Sequence, residues 1–182
     1  ILGLTIDEKL IFDEHINNVK QSIMPYCFAF KRIRKYVTKK TAKNMYFAFI
    51  NSKISYLISI WGNTAKNQIE KLETLQRRLL RIILVKDPLC HNEELYDEKI
   101  KSVSNLFNLN TAMHAFKIKK KLIKNNIQVV NVDQRHNYVV RNMADFSVKS
   151  VSTEYGRKNF YYHGLIYYNN LPNNIKNIYS TN

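Results

Sequence analysis

Two groups of cations carry the residue types and spacing that could do chemistry. Lys31, Arg32, Arg34 and Lys35 are followed, after a short turn, by Lys39, Lys40 and Lys43, with Tyr36 interleaved. Farther along, Arg77, Arg78 and Arg81 fall close together. Lys and Arg grouped on a helix end and the following loop suit contacts to a phosphate backbone, which need charge and donors but no particular base edge. The candidate nucleic-acid contacts are therefore Arg32, Arg34, Lys35, Lys39, Lys40, Lys43, Arg77, Arg78 and Arg81. Glu73 lies four residues before Arg77 and can pair with it, whereas Arg78 and Arg81 have no obvious acidic partner. A plainer account stays open beside this one: long outward side chains give a helix its solvated face, and cations near a helix C-terminus complement its dipole.

Other reactive residue types are not arranged for catalysis. Asp13 and Glu14 sit at a helix start, where negative charge suits the dipole. Cys27 lies in an apolar run and reads as a small packed hydrophobe. Cys90-His91 is a single pair with no second pair at ligand spacing, so no zinc site is expected. His114 reads as a packed or surface histidine. There is no P-loop, no other glycine-rich phosphate loop, and no HExxH spacing.

Lys and Arg number 29 against 14 Asp and Glu in 182 residues, a formal charge of +15. Such an excess concentrates polyanions at the surface and speeds their capture. Nucleic acid is the first partner this suggests and an anionic membrane surface the second. Lys, Asn, Ile and Tyr are all abundant, as an AT-rich coding sequence would make them, so the clustering of charge carries more than its total. No apolar run approaches the roughly 20 residues of a membrane span, and no signal peptide is recognisable. Opening on Ile1 inside an apparent strand, without an initiator Met, leads us to expect a piece of a longer chain.

The elements that must position these residues are mostly helices. Residues 1–7 read as a strand. Phe12, Ile16, Val19, Ile23, Cys27, Phe30 and Ile33 keep helical spacing, with Pro25 expected to kink or split that helix near Met24. Thr38 or Thr41 caps a second helix to about Ile60, whose wide apolar stripe, aromatics included, reads as core. Thr64 caps a third, with Ile69, Leu72, Leu75, Leu79, Ile82 and Ile83 on one face, closed by Asp87-Pro88. These three share a bundle core. A short acidic piece over 91–100 precedes a helix capped by Ser102 or Ser104 and running to about Asn125, with Val103, Leu106, Phe107, Asn110, Met113, His114, Phe116 and Ile118 inward. Beyond it, Val129-Val130, 138–140 and 146–148 read as short strands, and residues 155–158 as a turn. Tyr161, Tyr162, Tyr167 and Tyr168 can stack on bases or bury against the bundle, with burial favoured. The fold class is thus mainly α, a helical bundle with a short N-terminal strand and a mixed, irregular or β C-terminal region. The divisions are 1–12, 13–88, 89–126 and 127–182.

Three stretches together resemble the region after the catalytic palm of non-LTR (LINE-type, Jockey-like) retrotransposon reverse transcriptases. Leu2-Gly3-Leu4-Thr5-Ile6-Asp7 with Leu10 and His15-Ile16 is similar to the family's LGVxxDxxLxxxxHI. Trp61-Gly62-Asn63 with Leu72, Leu75-Gln76 and Arg81-Ile82 is similar to its WG…LxxLQxxxxRxI. Gly164, Asn169, Leu171-Pro172 and Ile175 are similar to its GxxxWNxLPxxI, with Tyr168 in place of the usual Trp and Leu165 where Pro is common. The three stand in the family's order and span most of the chain.

The resemblance implies roles. Residues 1–12 would end the palm, with Leu2, Gly3 and Leu4 at the primer grip. Residues 13–88 would form the thumb, which clamps an RNA–DNA or RNA template–primer duplex by its backbone. The rest would be the C-terminal extension. The missing palm and fingers would be partners, and Mg²⁺ would be the parent polymerase's cofactor, with none in this chain and no membrane involved. Such an enzyme works in a retrotransposon ribonucleoprotein, in cytoplasm and nucleus. Polymerases of this class hold two Mg²⁺ ions on paired aspartates. No Asp-Asp occurs here, and Asp7 and Asp13 stand apart from any second acidic set, so the chain alone is expected to be catalytically inactive. Two other readings are a stand-alone helical DNA-binding module, with 71–86 as recognition helix, and a structural remnant of a decayed element.

Overall fold

The periodic apolar positions of the first segment become one buried face. In the computed structural model, which describes residues 3–87, 89–97, 99–123 and 146–176, Ile16, Val19, Ile23, Cys27 and Phe30 are all buried along helix α1, Asp13–Ile33. Pro25 does not split it: the helix runs through, with the ring on the exposed face. There the carbonyl four residues earlier can turn to water in place of the missing amide. Ahead of α1 the expected strand is absent from the described residues 3–7, since a lone strand has no edge to pair with. Asp7 organises the chain instead. Its carboxylate accepts the amides of Phe12 at 2.8 Å and Ile11 at 2.9 Å, and these bonds hold its pKa below the ordinary value. They fasten a turn in which Leu10 and Phe12 take left-handed φ of 50° and 59°.

Thr38 caps α2, Lys39–Tyr46, accepting the Thr41 amide at 3.1 Å. The helix expected to reach Ile60 widens into a π-turn over Phe47–Asn51, resumes as α3, Ser52–Ser55, and then breaks. Leu57 has φ 50° before α4, Ile58–Trp61. No Gly or Pro causes this break. The Trp61 indole donates to the Tyr56 carbonyl at 2.9 Å, taking up a backbone acceptor turned out of the helix.

Helix α5, Lys66–Leu84, buries Ile69, Leu72, Leu75, Leu79 and Ile83 as the spacing predicts, and Leu80 and Gln76 besides. Its N-cap is Ala65, not Thr64. The Thr64 hydroxyl instead donates to the Ile11 carbonyl across the chain. The helix ends at Leu84, three residues before Asp87, with left-handed Val85 as its C-cap and the Lys86 amide returning to the Arg81 carbonyl at 3.0 Å. This is a helix stop of the left-handed kind, here without glycine.

The described residues divide into two compact units, Ile1–Phe107 and Asn108–Asn182. In the first, the acidic piece is a single 3₁₀ turn, Asn92–Leu95, and Leu95, Ile100, Val103, Leu106 and Phe107 join the same core as α1 and α5. Ser102 accepts the Asn105 amide at 3.2 Å, capping α6, Val103–Lys119, which stops short of Asn125. Gly62 leaves room for Phe107: a Cβ there would lie 2.6 Å from its ring.

Asp97 closes this unit. It accepts Lys43 Nζ at 2.7 Å and the amides of Ile100 at 2.7 Å and Lys99 at 2.9 Å. Partial burial pushes its pKa up, but those three donors outweigh it and hold the carboxyl at about 2. Because the folded value lies below the ordinary 3.8, the stabilisation is present above that pH and is lost as pH falls through about 2. Asp97→Asn should therefore unfold at lower denaturant than the parent chain at neutral pH, with the difference closing on acidification toward about pH 2. A gap that stayed constant with pH would refute the assignment.

In the second unit, helices stand at 154–158, 160–169 and 173–176, within the region expected to be irregular or β and over the turn expected at 155–158. Residues 124–145, including Val129-Val130 and 138–140, lie outside the described residues, and among those described 146–152 form no strand. Thr153 caps α7, Glu154–Lys158, and Asn159 caps α8, Phe160–Asn169; α9 is Asn173–Lys176. The Tyr-rich run has strand propensity, yet caps and three-residue spacing of Leu165 and Tyr168 on one face prevail. Of its tyrosines only Tyr168 is fully buried, beside Ala115, Phe146 and Leu165. On α6 the buried positions of this unit are Thr111, Ala112 and Ala115, while Met113, expected inward, is exposed.

Candidate nucleic-acid interface

The solvent face of α1 ends in three exposed cations, Lys31, Arg32 and Lys35, the last in the turn closed by the Tyr36 amide on the Ile33 carbonyl at 2.9 Å. Lys39 and Lys40 follow at the first two positions of α2. That is the positive end of a helix dipole, where cations are unfavourable, and no acid occupies the first turn. Across on α5, Arg78 is exposed as well. Burial pushes the Cys27 thiol pKa up while Arg78 and Lys31 both pull it down, so these two cations flank one thiol from neighbouring helices. None of the six has an acidic partner among the described residues.

The remaining candidates are held within the fold. Arg34 donates from Nε to the Ile83 carbonyl at 2.7 Å and from Nη1 to the Val37 carbonyl at 2.9 Å, clipping the end of α1 to the end of α5. Lys43 is paired with Asp97 at 2.7 Å. Arg77 lies 3.6 Å from Glu73, as the spacing predicts, and bonds Thr74 at 2.9 Å. Arg81 reaches the Asn92 side chain at 3.0 Å and the Cys90 carbonyl at 3.4 Å, so it has partners that a search for nearby acids misses. Glu73 also accepts the Ser104 amide and hydroxyl at 3.0 and 2.9 Å, at the N-terminus of α6.

Two aromatic rings stand among the free cations. Tyr36 is 78% exposed, with Lys35 Nζ 4.8 Å from its ring centroid. Phe28 is 67% exposed and Met24 51%. At three- and four-residue steps, Met24, Phe28, Lys31 and Arg32 share one face of α1, and Lys35 follows in the turn. The sequence signal for Phe28 is its place off the buried stripe, a large apolar residue, like Met24, on a face of α1 that also carries Gln21, Lys31 and Arg32.

Of the positions expected at a primer grip, Gly3 and Leu4 form no strand among the described residues. Leu2 lies outside the described residues, Gly3 takes φ 87°, and Leu4 is buried in the core. The motif residues are architectural. His15 is buried with its ring 5.5 Å from that of Trp61, neither nitrogen has a partner, and burial lowers its pKa. An open groove of about 410 Å³ passes beside it, lined by Gly3, Asn18, Ser22, Ser52, Lys53 and Tyr56. Lys53 is already turned to the Ser22 carbonyl at 3.4 Å and the Tyr26 ring at 5.5 Å. Asn169 bonds both backbone groups of Phe146, accepting at 3.0 Å and donating at 2.9 Å. Gly164 lets α8 approach the Thr111 carbonyl, 2.8 Å from where a Cβ would stand.

Among the described residues no group of three or more His, Cys, Asp or Glu is placed to hold a metal ion, and no helix is long and apolar enough to cross a membrane. Comparison with protein-family models, curated proteins and solved structures returns no match.

Proposed function

We propose that this chain is a nucleic-acid-gripping, non-catalytic part of an RNA-directed DNA polymerase of the non-LTR retrotransposon kind, its α1–α5 bundle acting as a thumb. The observation that carries the gripping role is a cluster of cations without acidic partners among the described residues, Lys31, Arg32, Lys35, Lys39 and Lys40 at the end of α1 and start of α2, with Arg78 on α5. Lys39 and Lys40 in particular sit where the helix dipole opposes them, and an anion bound there would relieve that repulsion. Arg and Lys at a helix end and turn meet phosphate oxygens without reading bases, so the partner is a template–primer duplex held by its backbone. The polymerase assignment rests on the ordered resemblance, whose residues pack together: Leu4, Ile16, Trp61, Leu72 and Gln76 all lie buried in one unit. Mg²⁺ and the catalytic acids would belong to a palm, and the cellular setting to a ribonucleoprotein in cytoplasm and nucleus.

The test is binding of the chain to RNA–DNA hybrid, duplex DNA and single-stranded RNA at two salt concentrations. Reversing Arg32, Lys35, Lys39 and Lys40 to Glu should weaken duplex binding at least about tenfold and flatten the salt slope by roughly 3 to 4. Arg34 is left alone because its loss would release α1 from α5. Unchanged affinity and slope would refute the interface, and strong preference among duplex sequences would favour a sequence-reading module instead.

A further inference from the structure

We infer that the exposed face of α1 and the turn that follows it also bind unpaired nucleic acid, with bases stacking on Phe28 and Tyr36 while the surrounding cations hold the strand's phosphates. This deepens the gripping role and rests on it. A duplex gives a phenyl ring little to bind, because sugar and phosphate line its outside and its base faces are stacked within. A single strand offers those faces to any aromatic ring, whatever the sequence. Phe28 is 67% exposed and has no polar atom, so water is a poor partner for it. Its helical neighbours one turn on are Lys31 and Arg32. Tyr36, at the far end of the same basic run, is 78% exposed. Lys35 covers one face of its ring at 4.8 Å, so a base would stack on the opposite face with a cation behind the ring.

Charge and shape favour this occupant over a membrane surface. An interfacial helix lays a continuous apolar face into the headgroups. The main apolar face of α1 is buried in the protein core, and the outward face carries a short apolar run, Met24, Pro25, Phe28 and Ala29, bounded by Gln21 and the cations. Two separated rings in a cationic field suit a flexible polyanion with flat bases.

The experiment measures binding of the full chain to a single strand and to a blunt duplex of equal length, in DNA and in RNA. Phe28→Ala and Tyr36→Ala should each weaken single-strand binding roughly tenfold while duplex affinity stays within about twofold. Phe28→Trp should retain single-strand binding and Phe28→Leu should not, which separates stacking from apolar contact. These exposed positions should leave the melting temperature unchanged. Equal losses on both probes, no loss on the single strand, or full binding by Phe28→Leu would overturn the inference. So would a Phe28-dependent partition into vesicles of mixed phosphatidylserine and phosphatidylcholine, or Phe28-dependent self-association, with single-strand binding unmoved. If the fourfold charge reversal abolishes duplex binding while Phe28→Ala changes neither probe, the backbone grip stands and the stacking falls. If the parent chain binds neither probe, both fall.

Discussion

Replacing Trp61 with alanine is expected to destabilise the first unit by about 3–5 kcal/mol, as for other large-to-small changes of a buried aromatic. Trp61 is fully buried, where its own segment meets α1 and lies beside the close approach of Phe107 to Gly62. Its ring lies 5.5 Å from that of His15 on α1, its indole N–H holds the Tyr56 carbonyl at 2.9 Å, and Gly62 beside it admits Phe107. The alanine variant therefore leaves a cavity and withdraws the donor that accompanies the helix break at Leu57. Trp61→Phe separates the two effects. It refills most of the cavity but still removes the N–H, and should cost about 1–2 kcal/mol, close to the value of one buried hydrogen bond plus a small void. Denaturant unfolding followed by far-ultraviolet circular dichroism reads both. Equal losses for the two variants would mean that the hydrogen bond, not ring volume, carries the effect.

How much of this was legible in the sequence depends on the range of the interaction. Helix α1 and the buried face of α5 follow from local spacing, because a 3.6-residue period needs only neighbours. The pairing of Glu73 with Arg77 is local too. The break at Leu57 is not: its left-handed φ of 50° has no Gly or Pro behind it and accompanies a contact made by Trp61. Thr64 carries the chemistry of an N-cap, yet its hydroxyl is drawn to Ile11, far away in sequence. Arg34 looked like any other member of a basic run, and only the folded chain brings the Ile83 carbonyl to it. The tail misled for a different reason. Tyrosine favours extended chain and asparagine favours turns on average, while the caps Thr153 and Asn159 and the close approach at Gly164 favour helices.

The motif residues and the candidate binding residues separate in the same way. Recognisable positions such as Asp7, His15, Trp61, Gln76 and Asn169 are buried or hydrogen-bonded to backbone, so they define architecture. The cations without partners stand in no motif. Their charge is visible in the sequence, but not which of them the fold consumes. Arg34, Lys43, Arg77 and Arg81 are consumed, and Lys31, unremarkable within its run, is not.

Gln76 is the clearest case of a polar side chain fixed by architecture, and its loss should be the second largest effect. It is almost fully buried on a face otherwise made of Leu and Ile. Its amide nitrogen donates to the Tyr46 hydroxyl and to the Lys101 carbonyl, both at 2.8 Å. Burial pushes the Tyr46 hydroxyl pKa up to about 12, with the Gln76 bond opposing that rise. Gln76→Leu keeps the volume but strips both acceptors of their donor inside the core. Each buried group left unsatisfied costs about 1–3 kcal/mol, so a loss of about 3 kcal/mol is expected. Tyr46→Phe in the Gln76→Leu background removes one of the orphaned groups and should return about 1–2 kcal/mol relative to the sum of the single changes. Trp61 is the only tryptophan, so its fluorescence reports unfolding of this unit in all four proteins. Strict additivity would show that Tyr46 and Gln76 are not coupled, and that the glutamine is kept for its other partners, the Lys101 carbonyl and the Tyr96 hydroxyl.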